Sequence, residues 1–352
     1  MRTRNRVPIA VALASCVLLS LASCGGQEKS PANPKVAMVI TDSKLDFAKE
    51  MGDGFAAGSR AAGGVDARVV SLDIRGGPPQ EARFAQLTKT AHDGIAVETL
   101  APELFAKPLD TAAAAGVPLI AVDAPPVPGS KVPLYVGNDN YRLGATLAAE
   151  AATRLPPNAT GTVVLGSPKP GLAPLDLRVK GMRDELAKRL PRVRVLGAFD
   201  VQQDESANEA AWQHLVTANP AALAFLGSGA ADAFNLAAIR KRTHGSWLAG
   251  AFDIEPQSLA AVADGQLFAL MSPEHFLNGA IAAELLAQDA KGDSALPHGW
   301  FATPGLAITS ANIGEITRRQ ASPGAREAWF RPKIASMLKD RKTYLRPLAA
   351  AR

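Results

Sequence analysis

Residues 117–123 read Val-Pro-Leu-Ile-Ala-Val-Asp, an apolar run of strand length that ends on an acid. A strand with apolar side chains on both faces is buried on both, the pattern of a parallel sheet covered by helices. The pattern repeats outward from this stretch. Upstream lie KVAMVI (35–40), ARVVSLD (67–73) and GIAVE (94–98), and LYVG (134–137) follows. A second series comprises GTVVLG (161–166), VRVLGAF (193–199), ALAFLG (222–227), WLAGAFD (247–253) and LFALMS (267–272). Helical periodicity fills the intervals: Phe84, Leu87 and Ala91 fall at i, i+3 and i+7, and Leu277, Ile281 and Leu285 at i, i+4 and i+8. Strand–helix alternation through two successive series predicts an α/β fold of two doubly wound parallel-sheet, Rossmann-like lobes. The length of 352 residues suits about two domains.

In such sheets ligands bind beyond the carboxyl ends of the strands, where loops feed into helices. Acids stand there after several runs: Asp42, Asp73 and Asp123 in the first series, Asp200 and Asp253 in the second. A strand-end Asp can also cap the helix that follows, so both roles are open for each of them.

Hydrophobic residues make up 47% and charged residues 20% of the chain, which suits a folded protein rather than a disordered one. The net charge is +5; three of the positives are Arg2, Arg4 and Arg6, so the rest carries about +2. With no interleaving of basic and aromatic residues, no nucleic-acid partner is expected. Two cysteines exclude a disulfide framework and a Cys-rich zinc module. No G-x-x-x-x-G-K-S/T loop or G-x-S-x-G elbow occurs, and His92, His214, His244, His275 and His298 show no H-E-x-x-H spacing. Gly227-Ser228-Gly229 follows a strand but lacks the third glycine of a dinucleotide fingerprint. Neither cofactor nor metal is expected, and binding gains over catalysis. An enzyme using Asp123, Asp253 or Glu274 as acid and base stays as an alternative, since a carboxylate pair needs no linear motif.

Residues 1–23 read as a bacterial lipoprotein signal peptide. Basic Arg2, Arg4 and Arg6 precede an apolar run from Val7 to about Ala22, and Leu21-Ala22-Ser23-Cys24 closes it. Small residues admit the peptidase, and the thiol can take a diacylglyceryl group, so Cys24 is the expected lipidation site. Leu13-Ala14-Ser15-Cys16 has the same form, but cleavage there leaves an apolar run of only six residues, Val7 to Ala12. After Cys24 no uninterrupted apolar run reaches about 18 residues, so the expectation is a lipid anchor without a span. Residues 24–34 form a Gly/Ser/Pro tether.

Further motifs follow in a fixed order. Phe47-Ala48-Lys49-Glu50-Met51-Gly52-Asp53-Gly54 opens a helix with an aromatic and continues to a D-G pair. His92-Asp93-Gly94-Ile95-Ala96-Val97 enters a strand, and Ala114-Ala115-Gly116-Val117-Pro118-Leu119-Ile120-Ala121-Val122-Asp123 enters and completes another. Val136-Gly137-Asn138-Asp139-Asn140 precedes Gly144, Arg178-Val179-Lys180-Gly181 opens a helix, and Gly250-Ala251-Phe252-Asp253 ends a strand. In this order, over about residues 35–312, they resemble the type I periplasmic binding proteins, specifically the ribose-binding-like sugar receptors of ABC importers.

That resemblance implies two lobes joined by three crossovers, near residues 136–140, 272–276 and 303–307. The N-terminal lobe would comprise 35–138 and 274–303, the C-terminal lobe 139–273 and 304–320, with 321–352 a helical tail. It also implies a sugar or polyol between the lobes, with Phe47 stacking on the ring, Asp123 and Asp253 accepting hydroxyl hydrogens, and Arg178 donating. Glu274 and His275, at a crossover, and the weaker candidates Asp42 and Gln203 complete the expected ligand-binding set. The chemistry suits a neutral polyol, because each buried hydroxyl left unpaired costs about 1–3 kcal/mol and charged partners pair it best. Departures from ribose receptors point away from ribose itself: Ala124 replaces an Arg, Gly229-Ala230 an Asn-Asp pair, and Pro273 a late glutamine.

The expected protein is therefore a monomeric, extracytoplasmic, lipid-anchored solute-binding protein that closes over a small ligand. Its partners would be the membrane permease and ATPase of an ABC importer. A receptor that reports the ligand to a membrane kinase is the second reading. From Ala325 to Leu338 the tail is helical in character and ends in Lys339, Arg341 and Lys342, which reads as a solvated basic surface helix. Trp212, with Leu215 three residues on, reads as core.

Overall fold

The computed structural model describes residues 33–71 and 78–351; Cys16, Cys24 and Asp73 lie outside them. The first lobe begins with β1 (Lys35–Ile40), α1 (Asp46–Ala62), β2 (Asp66–Ser71), α2 (Pro78–Leu87), β3 (Gly94–Glu98), α3 (Pro102–Ala114), β4 (Leu119–Val122) and β5 (Leu134–Asn138). The second comprises α4 (Asn140–Ala152), β6 (Gly161–Ser167), α5 (Ala173–Arg189), β7 (Val193–Asp200), α6 (Glu205–Ala218), β8 (Ala222–Gly227), α7 (Ala230–Thr243), β9 (Leu248–Phe252), α8 (Pro256–Ala263) and β10 (Ala269–Ser272). The chain returns to the first lobe with α9 (His275–Ala290) and β11 (Gly299–Thr303), then adds β12 (Leu306–Ile308) and α10 (Ile313–Gln320) to the second. It ends on the first lobe with α11 (Pro323–Lys339), α12 (Arg341–Tyr344), β13 (Leu345–Arg346) and a 3-10 turn (Leu348–Ala351).

Both sheets obey one plan. The first runs β2-β1-β3-β4-β5-β11 in parallel with β13 antiparallel at its edge; the second runs β7-β6-β8-β9-β10 in parallel with β12 antiparallel. Their first five strands share the order 2-1-3-4-5, so the order reverses between β1 and β3 and again between β6 and β8. Crevices open at the carboxyl ends of strands at such switch points. Strand alternation feeds two core layers per sheet. In β1, Val36, Met38 and Ile40 face α1 and α9, while Ala37 and Val39 join the layer of Phe84 and Phe105. The expected α/β class with two parallel-sheet lobes is the observed one.

Helix pairs on the cleft side pack through glycine. A Cβ on Gly54 would sit 2.0 Å from the Phe276 carbonyl oxygen, and one on Gly279 only 1.9 Å from that of Met51, so α1 and α9 touch backbone to backbone. The second lobe repeats this: a Cβ on Gly144 would lie 1.9 Å from the Arg178 oxygen, and one on Gly181 1.9 Å from that of Tyr141. The glycines of the D-G and R-x-x-G motifs thus hold α1 to α9 and α5 to α4.

Three crossings between lobes fall at 138–140, 272–275 and 303–306, and a fourth follows α10 at 320–323. Ile316 of α10 lies in the second lobe's core, whereas Phe330, Ile334, Met337 and Leu338 of α11 are buried in the first lobe's core. Phe330 stacks on Phe276 at 5.2 Å between centroids. The reading of this stretch as a solvated surface helix is therefore corrected. Its apolar residues recur at i, i+4, i+7 and i+8 beneath the charges, and that stripe seats the helix. Trp212 is fully buried, as expected. Trp300 is buried on β11 with its indole N–H donating to the Gly137 oxygen, 2.7 Å away.

Candidate functional site

Asp123 and Asp253 each follow the fourth strand of their sheet, β4 and β9. Both have left-handed φ, 68° and 72°. This conformation costs an L-residue roughly 1–2 kcal/mol and is best tolerated by Asn, Asp and Gly. In each case the amide donates to the next strand, Asp123 to the Val136 oxygen at 3.0 Å and Asp253 to the Met271 oxygen at 2.9 Å. The turn ends pairing and aims each carboxylate at the space between the lobes.

His275, the first residue of α9, stands between these two acids. Its Nε2 lies 2.9 Å from Asp253 Oδ1 and its Nδ1 3.6 Å from Asp123 Oδ1. The ring is buried, and burial by itself would lower its pKa. The Asp253 hydrogen bond and the charges of Asp123, Asp253 and Glu50 outweigh that and raise it to about 9. A doubly protonated imidazole then joins the first lobe's acid to the second's. Phe47, in the first turn of α1, packs against it with centroids 5.5 Å apart.

Arg178 occupies the second turn of α5 and is buried. Its Nε donates to Asn140 Oδ1 and its Nη1 to the Ser228 oxygen, both at 2.9 Å, and the guanidinium lies 4.3 Å from the Phe252 ring centre. The acids near Arg178 in sequence are engaged elsewhere: Asp176 accepts from the Gly171 amide, and Asp184 pairs with Lys180 and accepts from the Tyr141 hydroxyl. Behind Ser228, buried Asp232 accepts from Asn208, Trp212 and the Gly229 amide, each at 2.8 Å. Burial pushes its carboxyl up to about 6, against those hydrogen bonds. This network fixes the loop that receives Arg178.

Phe47, Asp123, Arg178, Gln203, Asp253 and His275 line one cavity of about 160 Å³. Two expected residues do not. Asp42 is spent on a turn, its Oδ1 accepting from the Lys44 amide at 2.9 Å. Glu274 points away: its carboxylate accepts from Arg319 Nη1 at 2.8 and 2.9 Å and from Ser272 Oγ at 2.8 Å. That buried pair ties the second crossing to α10. Asp200 likewise serves a turn, accepting from the Gln202 amide.

Sequence reasoning missed Asn140, Asp46 and Glu255. Asn140 had a signal, since it ends the quoted Val136–Asn140 crossover. Glu255 is buried, and that burial, with the Asp253 charge beside it, holds its carboxyl well above the usual range. Also missed was an apolar latch over the cavity: Leu100 of the first lobe packs with Leu172 and Leu175 of the second, against Leu45 and Phe47. Lys169 Nζ reaches across to the Leu100 oxygen at 2.7 Å. The two lobes are thus closed upon one another. Beneath the cleft, Glu98 accepts from the Thr41 amide and hydroxyl at 2.7 and 2.9 Å, and burial raises its pKa to about 7.

A family model for the periplasmic binding protein domain matches residues 36–294. The chain belongs to the periplasmic binding protein family. Solved structures of the same fold include AraP, an arabinose-binding protein from Geobacillus stearothermophilus, at 21% identity and TM-score 0.70, covering 80% of this chain and 99% of that one. A solute-binding protein from Burkholderia graminis, in complex with D-arabinose, is 22% identical with TM-score 0.71, covering 81% of this chain and 98% of that one. A chain of the XylFII-LytSN complex is 15% identical with TM-score 0.68, covering 80% and 99%. No curated protein sequence matches significantly. Among the described residues of this binding protein, no helix is long and apolar enough to cross a membrane.

Proposed function

We propose that this periplasmic binding protein captures a small sugar or polyol between its lobes and delivers it to the permease and ATPase of an ABC importer. One observation carries the reading: Phe47, Asp123, Arg178, Asp253 and His275, from both lobes, line a single cavity. Phe47 offers a ring face for the sugar's C–H surface, and Asp123 and Asp253 accept from hydroxyls. Arg178 Nη2 and His275 Nδ1 donate to ring or hydroxyl oxygens. Gln203, at the cavity wall, adds an amide. The D-arabinose complex of the same fold supports the ligand class.

A thermal-shift screen over pentoses, hexoses, polyols and amino acids tests this. Stabilisation by a hydroxylated compound is expected, and stabilisation by amino acids alone would overturn it. The chain would work outside the cytoplasm, held as a monomer by lipid on Cys24. Cys24→Ser should move it to the soluble fraction, and Cys16→Ser should not. A second reading, sensing through a partner protein, draws on the fold shared with the XylFII-LytSN complex. Co-purification with a permease rather than a receptor separates the two.

A further inference from the structure

Beyond Phe47 and His275 lies a second chamber. It measures about 510 Å³ against about 160 Å³ for the first, and Asp46, Phe47, Asp253, Glu255 and His275 line both. Its two long walls differ in character. The turn before α8, and α8 itself, supply Ile254, Pro256, Leu259 and Ala260. Opposite stand Glu50 of α1 and Thr317, Gln320 and Arg326 of α10 and α11. The last three lie past residue 294, where the family match ends. The fourth crossing between lobes therefore walls this chamber.

We propose that the chamber is a second saccharide subsite, so that the ligand is a disaccharide or other glycoside with one unit on each side of Phe47. This rests on the sugar-binding reading of the first cavity. A sugar ring has an apolar C–H face and a rim of hydroxyls, and the chamber offers an apolar wall facing a polar one. Two buried atoms on the polar wall, Gln320 Oε1 and Arg326 Nε, find no hydrogen-bond partner among the described residues. Both side chains converge on Glu50 Oε1: Gln320 Nε2 donates to it at 2.9 Å, and Arg326 Nη1 stands 3.8 Å away. A saccharide hydroxyl can donate to an amide oxygen and accept from a guanidinium, the two kinds of group this wall carries. Burial also raises the Glu50 pKa, although His275, Gln320 and Arg326 oppose it.

Calorimetric titrations with glucose, galactose, arabinose and ribose, and with lactose, melibiose and maltose, test the proposal on the wild-type chain, Ala260→Trp and Gln320→Leu. Ala260 is exposed on α8 and lines only the second chamber, so an indole there fills it without entering the fold's core. At least one disaccharide should bind wild type about tenfold more tightly than its component sugars. Ala260→Trp should abolish that advantage while leaving monosaccharide affinity within about twofold, and Gln320→Leu should weaken the disaccharide alone. Monosaccharide binding with no disaccharide preference, or a preference that survives both substitutions, overturns the second subsite and leaves the first cavity's role standing. Absence of binding by any saccharide of either size overturns both.

Discussion

At the residue scale the site is governed by one imidazole held between two acids. His275 faces Asp253, Asp123 and Glu50, and its pKa is raised to about 9 from an ordinary value of 6.5. A group whose folded pKa is raised gives stability that is fully present below its unfolded pKa and lost as pH rises through the folded one. The unliganded protein should therefore lose on the order of 3 kcal/mol between about pH 6.5 and 9. His275→Gln should flatten that part of the profile in urea melts. A wild-type profile already flat over the window would show that the ring is neutral. The acids were legible in the sequence as strand-end residues. What they do to each other was not, because Asp253 meets His275 from the other lobe and Asp123 meets it from a distant part of the chain. Asp42 and Asp200 show the limit of that signal, since the same strand-end placement served turns.

At the element scale, backbone-to-backbone packing of α1 on α9 and of α5 on α4 brings Phe47 and Arg178 to the cleft. The two helices are counterparts, each being the first after the opening strand of its lobe. Strand runs and amphipathic periods made nearly all these elements readable, since parallel strands buried on both faces have an unmistakable composition. The C-terminal helix was misjudged, because its basic end outweighed its apolar stripe. Phe330→Ala tests the corrected placement. Loss of a fully buried Phe that stacks on Phe276 should cost about 3–5 kcal/mol, visible as a large drop in Tm. A change near zero would return α11 to the solvent.

For the whole molecule, closure depends on contacts between lobes. Deep in the hinge, Arg319 and Glu274 form a fully buried pair, with Arg319 also lying 5.0 Å from the Phe330 ring centre. At the mouth, Leu100 meets Leu172 and Leu175. The two sides of the latch come from stretches far apart in sequence, so no local pattern announced it. Leu172→Asp should weaken it, because an isolated carboxylate is costly to desolvate. Small-angle scattering should then give a larger radius of gyration for the unliganded variant than for the wild type. Equal radii would show that the latch does not set the degree of opening.

The claim that a hydroxylated solute is gripped between the lobes meets its most direct test in calorimetric titration of wild type and Arg178→Lys with arabinose, ribose and galactose. Lysine keeps the positive charge but cannot serve Asn140, the Ser228 carbonyl and a ligand with one planar fork. Saturable binding of at least one sugar to wild type is predicted, weakened about tenfold or more in the folded variant. Equal affinity in the two proteins, or no binding by wild type, would contradict it.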